Sequence, residues 1–177
     1  MPAGATYEPI ATNTLESNAS SITFSSIPQT YTDLIVVANL GGYYTGTTWI
    51  DCGIQVGNGS IDTGANYSSI QILADGTGTL ARSNATYVLY WVAAAASDDG
   101  YYPPMIAHIN NYSNTTTWKP ILNRFTALNP AGSVNTSGAT VGAWRSTSAI
   151  NTVRISNQNG TNFYAGSSVT LYGIKAA

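Results

Sequence analysis

Residues 141–155 read Val141-Gly142-Ala143-Trp144-Arg145-Ser146-Thr147-Ser148-Ala149-Ile150-Asn151-Thr152-Val153-Arg154-Ile155. Residues 162–174 read Asn162-Phe163-Tyr164-Ala165-Gly166-Ser167-Ser168-Val169-Thr170-Leu171-Tyr172-Gly173-Ile174. Val153 and Ile155 alternate with Thr152, Arg154 and Ser156, the period of a strand with one buried face. Val169 and Leu171 alternate in the same way with Thr170 and Tyr172. Asn157-Gln158-Asn159-Gly160 separates the two runs, and Asn-Gly accepts the positive φ of a tight turn. The pattern predicts that the chain closes on an antiparallel pair of strands, in its simplest form a terminal hairpin. The last strand is expected to complete its sheet.

Composition extends the β reading to the whole chain. Of 177 residues, only 8% are charged, against roughly 25% in ordinary soluble domains. Hydrophobic content is 44%, so Ser, Thr, Asn, Gln and Gly must supply the polar surface. Those residues are poor in helix interiors, whereas Thr, Val, Ile and Tyr fit strands. With 17 Gly and few Lys or Glu, the chain reads as an all-β protein with many turns. Its length suits one domain with a substantial core. The net charge is −2, and the six Lys and Arg are scattered. No basic cluster marks a nucleic-acid or anionic-membrane surface. An uncharged hydroxyl- and amide-rich surface suits a particle shell, a fibre or a glycan contact, and also some ordinary sandwiches.

Working outward, Tyr7–Leu15 reads as a first strand after a flexible arm at residues 1–6, with Pro9 favouring a sheet edge. Ser20–Phe24 is a second strand with Ile22 and Phe24 on one face. Leu34–Leu40 is apolar without alternation, a strand covered on both faces. Trp49–Val56 is another strand. Tyr67–Leu73 follows, with Ile70 and Ile72 alternating against Ser69 and Gln71, and Asp75-Gly76-Thr77-Gly78 breaks it. Thr86–Ala96 contains four alanines that favour helix, but the leading Tyr, Val and Trp favour strand. Met105–Asn110 and Trp118–Leu128 are strands, and Asn129–Ser137 is a Pro/Gly/Asn loop. Short strands at this spacing, with no internal repeat, predict an antiparallel β-sandwich, jelly-roll-like, over residues 7–177.

Few residues invite chemistry. Cys52 is alone, so no intrachain disulfide forms, and its strand-like setting fits a small core residue. His108 is the one histidine; a general base or zinc ligand is conceivable, but one His and one Cys cannot supply the three or four ligands of a zinc site. Asp33, Asp62, Asp75, Asp98 and Asp99 fall at strand ends or turns, where Asp accepts from local backbone N–H groups. No nucleophile elbow or phosphate-binding glycine loop occurs. These readings predict no catalytic, cofactor or metal residues. The Asn-x-Ser/Thr matches, such as Asn66 and Asn111, are expected by chance in such a composition. The N-terminus has neither a basic region nor an apolar run, so no signal peptide is expected and synthesis and assembly inside a cell are the default. Tyr43, Tyr44, Trp49, Tyr101 and Tyr102 are the candidate contact residues. Such rings stack on sugars, anchor protein interfaces or fold back over a core edge.

Several segments together resemble a known group. Tyr7-Glu8-Pro9-Ile10-Ala11 and Ser21–Leu34 are similar to the opening of tailed-bacteriophage structural proteins frequent among cyanophages and other marine phages. Asn58–Ser68, ending Gly64-Ala65-Asn66-Tyr67-Ser68, resembles a middle segment of that group, and Ile109-Asn110-Asn111-Tyr112-Ser113-Asn114-Thr115-Thr116 is similar to a further stretch of it. Trp144–Ile150 and Asn162–Ile174 resemble its C-terminal end. The segments are spread over nearly the whole chain and occur in the expected order. It implies a virion component with a β-sandwich fold, no catalytic site and no functional residues to carry over. The expectation is a capsid decoration (cement) protein on the head exterior, a homotrimer whose partner is the major capsid protein. The alternative is a receptor-binding or tail-fibre tip domain whose tyrosine loops contact host glycan. A polysaccharide enzyme would need a placed carboxylate pair.

Overall fold

The computed structural model describes residues 6–42, 49–74, 78–93, 102–128 and 135–175. Among them are thirteen strands and no helix. They are β1 (Tyr7–Thr14), β2 (Ser21–Phe24), β3 (Asp33–Asn39), β4 (Trp49–Asn58), β5 (Ser60–Ile61), β6 (Tyr67–Leu73), β7 (Gly78–Ala85), β8 (Val88–Ala93), β9 (Pro104–Ile109), β10 (Lys119–Leu128), β11 (Asn135–Trp144), β12 (Thr152–Asn157) and β13 (Ser168–Ile174). The expected all-β antiparallel sandwich is the architecture found. Its larger sheet has the order β1-β13-β3-β9-β10-β11-β6-β7. The smaller has the order β2-β12-β4-β5, with β8 also paired to β4.

Alternation along the strands builds one core between the sheets. Leu34, Val36 and Ala38 of β3, Leu171 and Val169 of β13, and Ala107 and Ile109 of β9 face inward from the large sheet. Ile22, Ile54, Val56, Val153 and Ile155 face them from the small sheet. Cys52 lies fully buried on β4 among these residues, as a small core side chain. Each Ile, Leu or Val so buried contributes about 1.5–3 kcal/mol.

The terminal hairpin is corrected. β12 and β13 are both strands, but β12 pairs with β2 and β4, while β13 pairs with β1 and β3. The reason is the jelly-roll-like path. β1 lies in the large sheet, β2 in the small, β3 in the large and β4 in the small, and the last two strands continue the exchange. Within β1–β4 and again from β12 to β13, consecutive strands therefore stack across the core instead of sharing a ladder. Pro9 does sit on an edge strand, at a register shift between Pro9 and Ala11. The helix-or-strand ambiguity at residues 86–96 resolves to strand over Val88–Ala93; residues 94–96 lie outside the described residues. Three strands went unforeseen, the two-residue β5 among them. β7 occupies the region after the Asp75–Gly78 break, and β11 begins at Asn135, inside the expected loop. Of the expected arm, residues 1–5 lie outside the described residues, and the Thr6 carbonyl accepts the Lys175 backbone N–H.

Candidate interaction surface

At the middle of three neighbouring strands of the large sheet, polar side chains face in and apolar ones face out. On β6, Tyr67, Ser69, Gln71 and Leu73 face the core, and Ile70 and Ile72 face out, 56% and 61% exposed. The Ile/Ser-Gln alternation read from the sequence is present, with the isoleucines on the solvent side. On β10, Asn123 is buried and Leu122 is 42% exposed; on β11, Thr140 is buried and Val141 is 58% exposed. Register aligns these residues across the strands. Leu122, Val141, Ile70 and Ala81 form one outward row, and Arg124, Ala139, Ile72 and Thr79 form the next. The first row continues through His108, Ile35, Tyr172 and Pro9 to the opposite edge. Beneath the exposed apolar side chains, Asn123, Thr140 and Gln71 form the matching inward row.

The register that produces this inversion is locked from inside. The Tyr67 hydroxyl accepts the Val56 N–H at 2.9 Å and donates toward the Val56 and Asp62 carbonyls at 2.9 and 3.0 Å. Burial raises its pKa far above that of a free tyrosine. The Trp144 indole N–H donates to Asp62 Oδ2 at 2.7 Å. Gly142 faces inward, where an added Cβ would stand 2.8 Å from a Val88 methyl. A one-residue slip would exchange the faces. It would drive Ala143 or Val141 into space already filled by Val88. The register held by these contacts places Gln71 and Asn123 inside, where neither side-chain amide has a hydrogen-bond partner among the described residues. An unpaired buried polar group of this kind costs about 1–3 kcal/mol.

Two shallow depressions flank Val141 on the outer face. One, of about 340 Å³, is lined by His108, Leu122, Arg124 and Ala139; the other, of about 580 Å³, by Ile70, Ala81, Pro120 and Ala143. Val141 lines both and forms the ridge between them. The small sheet's outward side is different in kind. Arg154 donates to Gln55 Oε1 through Nε (3.0 Å) and Nη2 (2.7 Å), Gln55 Nε2 donates to the Thr86 carbonyl, and Gln158 Nε2 donates to Ser156 Oγ at 2.6 Å. One outer face is a hydrogen-bonded polar layer, and the other exposes apolar side chains on β6, β10 and β11.

Of the aromatic contact candidates, Tyr43, Tyr44 and Tyr101 lie outside the described residues, and Trp49 opens β4 without a described side chain. Tyr102 is half-buried, its hydroxyl donating to the Ala165 carbonyl at 2.7 Å beside Gly166, whose φ is +89°. It closes the turn that leads into β13. His108 lies in the outward row between Ile35 and Leu122. Asp62 accepts the Gly64 backbone N–H at 2.8 Å, as expected of a turn aspartate, whereas Asp33 accepts not a local N–H but that of Asn111, 78 residues away, at 2.7 Å. Asp75, Asp98 and Asp99 lie outside the described residues. Lys119 is fully buried, its ammonium donating to the Thr117 and Thr147 carbonyls, and burial lowers its pKa. Among the described residues no three His, Cys, Asp or Glu side chains gather where they could hold a metal ion.

Sequence reasoning missed Ile70, Ile72, Leu122 and Val141 as surface residues. The signal was Tyr67: an aromatic in phase with Ser69 and Gln71, and out of phase with the isoleucines, marks the other face as the outer one. Comparison with known protein families, curated proteins and solved structures finds no match.

Proposed function

We propose that this chain is a non-enzymatic structural protein of a bacteriophage virion: a capsid decoration protein that binds the outer surface of the assembled head and stabilises it as a homotrimer. The observation that carries the reading is the inverted polarity of β6, β10 and β11. A domain that leaves Ile70, Ile72, Leu122 and Val141 on a flat sheet face gains most when another surface covers them. That is the physical profile of a protein that works by assembly. The phage setting is supported by the resemblance of residues 7–11, 21–34, 58–68, 109–116, 144–150 and 162–174 to virion proteins. The low charge fits a surface that associates without strong electrostatic selection.

The mechanism follows from linkage. The partner is the major capsid protein in its closed lattice. A ligand that binds only that lattice shifts the equilibrium toward it by mass action. The direct test is gold-label electron microscopy of intact virions with antibody against this chain. The expected result is label over the whole head. Label confined to the tail tip would transfer the chain to the receptor-binding reading, and virions free of label would remove it from the particle.

A further inference from the structure

We propose that the outer face of the large sheet is covered by other copies of this chain, with Val141, Ile70, Ile72 and Leu122 at the centre of the contact. The inference shares with the preceding section the premise that the chain assembles. It does not depend on the virion.

Area, chemistry and charge each favour a second copy. Eight strands about 4.8 Å apart, each of about seven residues rising about 3.4 Å, give a face of roughly 900 Å². A stable protein interface takes about 800 Å² from each partner. The chemistry is graded as an interface is graded. An apolar centre on β10, β11 and β6 is bordered by Thr79 on β7 and by the Thr12–Thr170 hydroxyl pair, 3.0 Å apart, at the β1 edge. The depressions on either side of the Val141 ridge offer holes for the ridge of a like surface. Within the two outward rows Arg124 is the one formal charge. A partner chosen by electrostatics would find little to read, whereas identical faces with one charge each meet with little repulsion. At a net charge of −2, copies repel one another weakly as whole molecules. The polar layer at Gln55, Arg154 and Ser156 satisfies its own hydrogen bonds and remains free for a different contact.

Sedimentation equilibrium of the full chain, at about 1 to 100 μM, reads the answer without phage or capsid. The expected mass is two or three times 18.5 kDa. Val141→Lys places an ammonium at the centre of the contact and is expected to weaken association at least tenfold. Thr23→Lys, on the outward side of the small sheet, is expected to leave the mass unchanged. If Val141→Lys does not fold, Ile72→Thr keeps a β-branched side chain on β6, removes apolar surface and is expected to weaken association in the same direction. A wild-type mass of 18.5 kDa throughout would overturn the proposal, whether or not the chain labels phage heads. So would an oligomer untouched by Val141→Lys and Ile72→Thr. An oligomer whose protein never labels a virion would instead refute only the capsid role.

Discussion

Asp62 shows how one side chain can tie distant parts of the sandwich together. Burial pulls its pKa up, but the Trp144 indole, the Asn66 amide and the Gly64 backbone N–H outweigh that and hold the carboxyl below its ordinary value. The folded state therefore binds its proton less readily than the unfolded chain. The resulting stability is fully present above the unfolded pKa of about 3.9 and is lost as pH falls through the folded pKa. Asp62→Asn is expected to lower stability at neutral pH by about 1 kcal/mol, through loss of charge-assisted hydrogen bonds. Calorimetric Tm values for wild type and variant should converge as pH falls below about 4 and on through the lowered folded pKa, where the wild-type carboxyl becomes neutral. Curves that stay parallel would mean the carboxylate charge contributes nothing. The turn role of Asp62 was legible in Asp62-Thr63-Gly64-Ala65-Asn66. Its bond to Trp144, 82 residues away, was not, because local pattern carries no information about which strand a turn will meet.

At the scale of elements, β11 decides which way the sheet faces. Its inward positions include Gly138, Thr140 and Gly142, so β8 can come close, and Val88 fills the room that Gly142 leaves. Gly142→Ala is expected to destabilise by roughly 1–3 kcal/mol through overpacking. The additional change Val88→Ala should make the Gly142→Ala penalty smaller, as urea midpoints would show; equal penalties in both backgrounds would mean that Gly142 is not held small by Val88. The glycines that do this are also what concealed the strand. Asn135-Thr136-Ser137-Gly138 has turn composition, yet it pairs with β10 along its whole length, and tertiary pairing overrides such propensity. β7 was hidden similarly, by small polar residues with little apolar period. For β6 the alternation was plain, but a period of two names two faces without saying which is inside. Tyr67 and Leu73, buried at either end, settle it.

The molecule as a whole is two unequal antiparallel sheets between which the chain crosses repeatedly, and composition announced the all-β class. The order of strands was not legible, because short runs of similar hydrophobicity can pair in many ways. In the arrangement found, β13 is an interior strand: seven residues hold β1 on one side and β3 on the other, with Val169 and Leu171 fully buried. Deleting residues 168–175 is expected to abolish the cooperative thermal transition and the near-ultraviolet circular dichroism of the packed aromatics. A sharp melt in the truncated chain would show that β1 and β3 can close the sheet without it.

That placement also sets a timetable for synthesis. Tyr7 is paired with Ile174, and Ile22 with Ile155. The earliest strands to leave a ribosome must therefore wait, unpaired, until nearly all the rest has followed, since closing such distant contacts costs loop entropy before any burial repays it. Through that interval β3 presents Leu34, Ile35 and Val36 with an open strand edge, the kind of surface on which nascent chains aggregate. In a cell making many copies at once, the yield of folded protein is set by how these waiting chains are kept apart until residue 174 emerges.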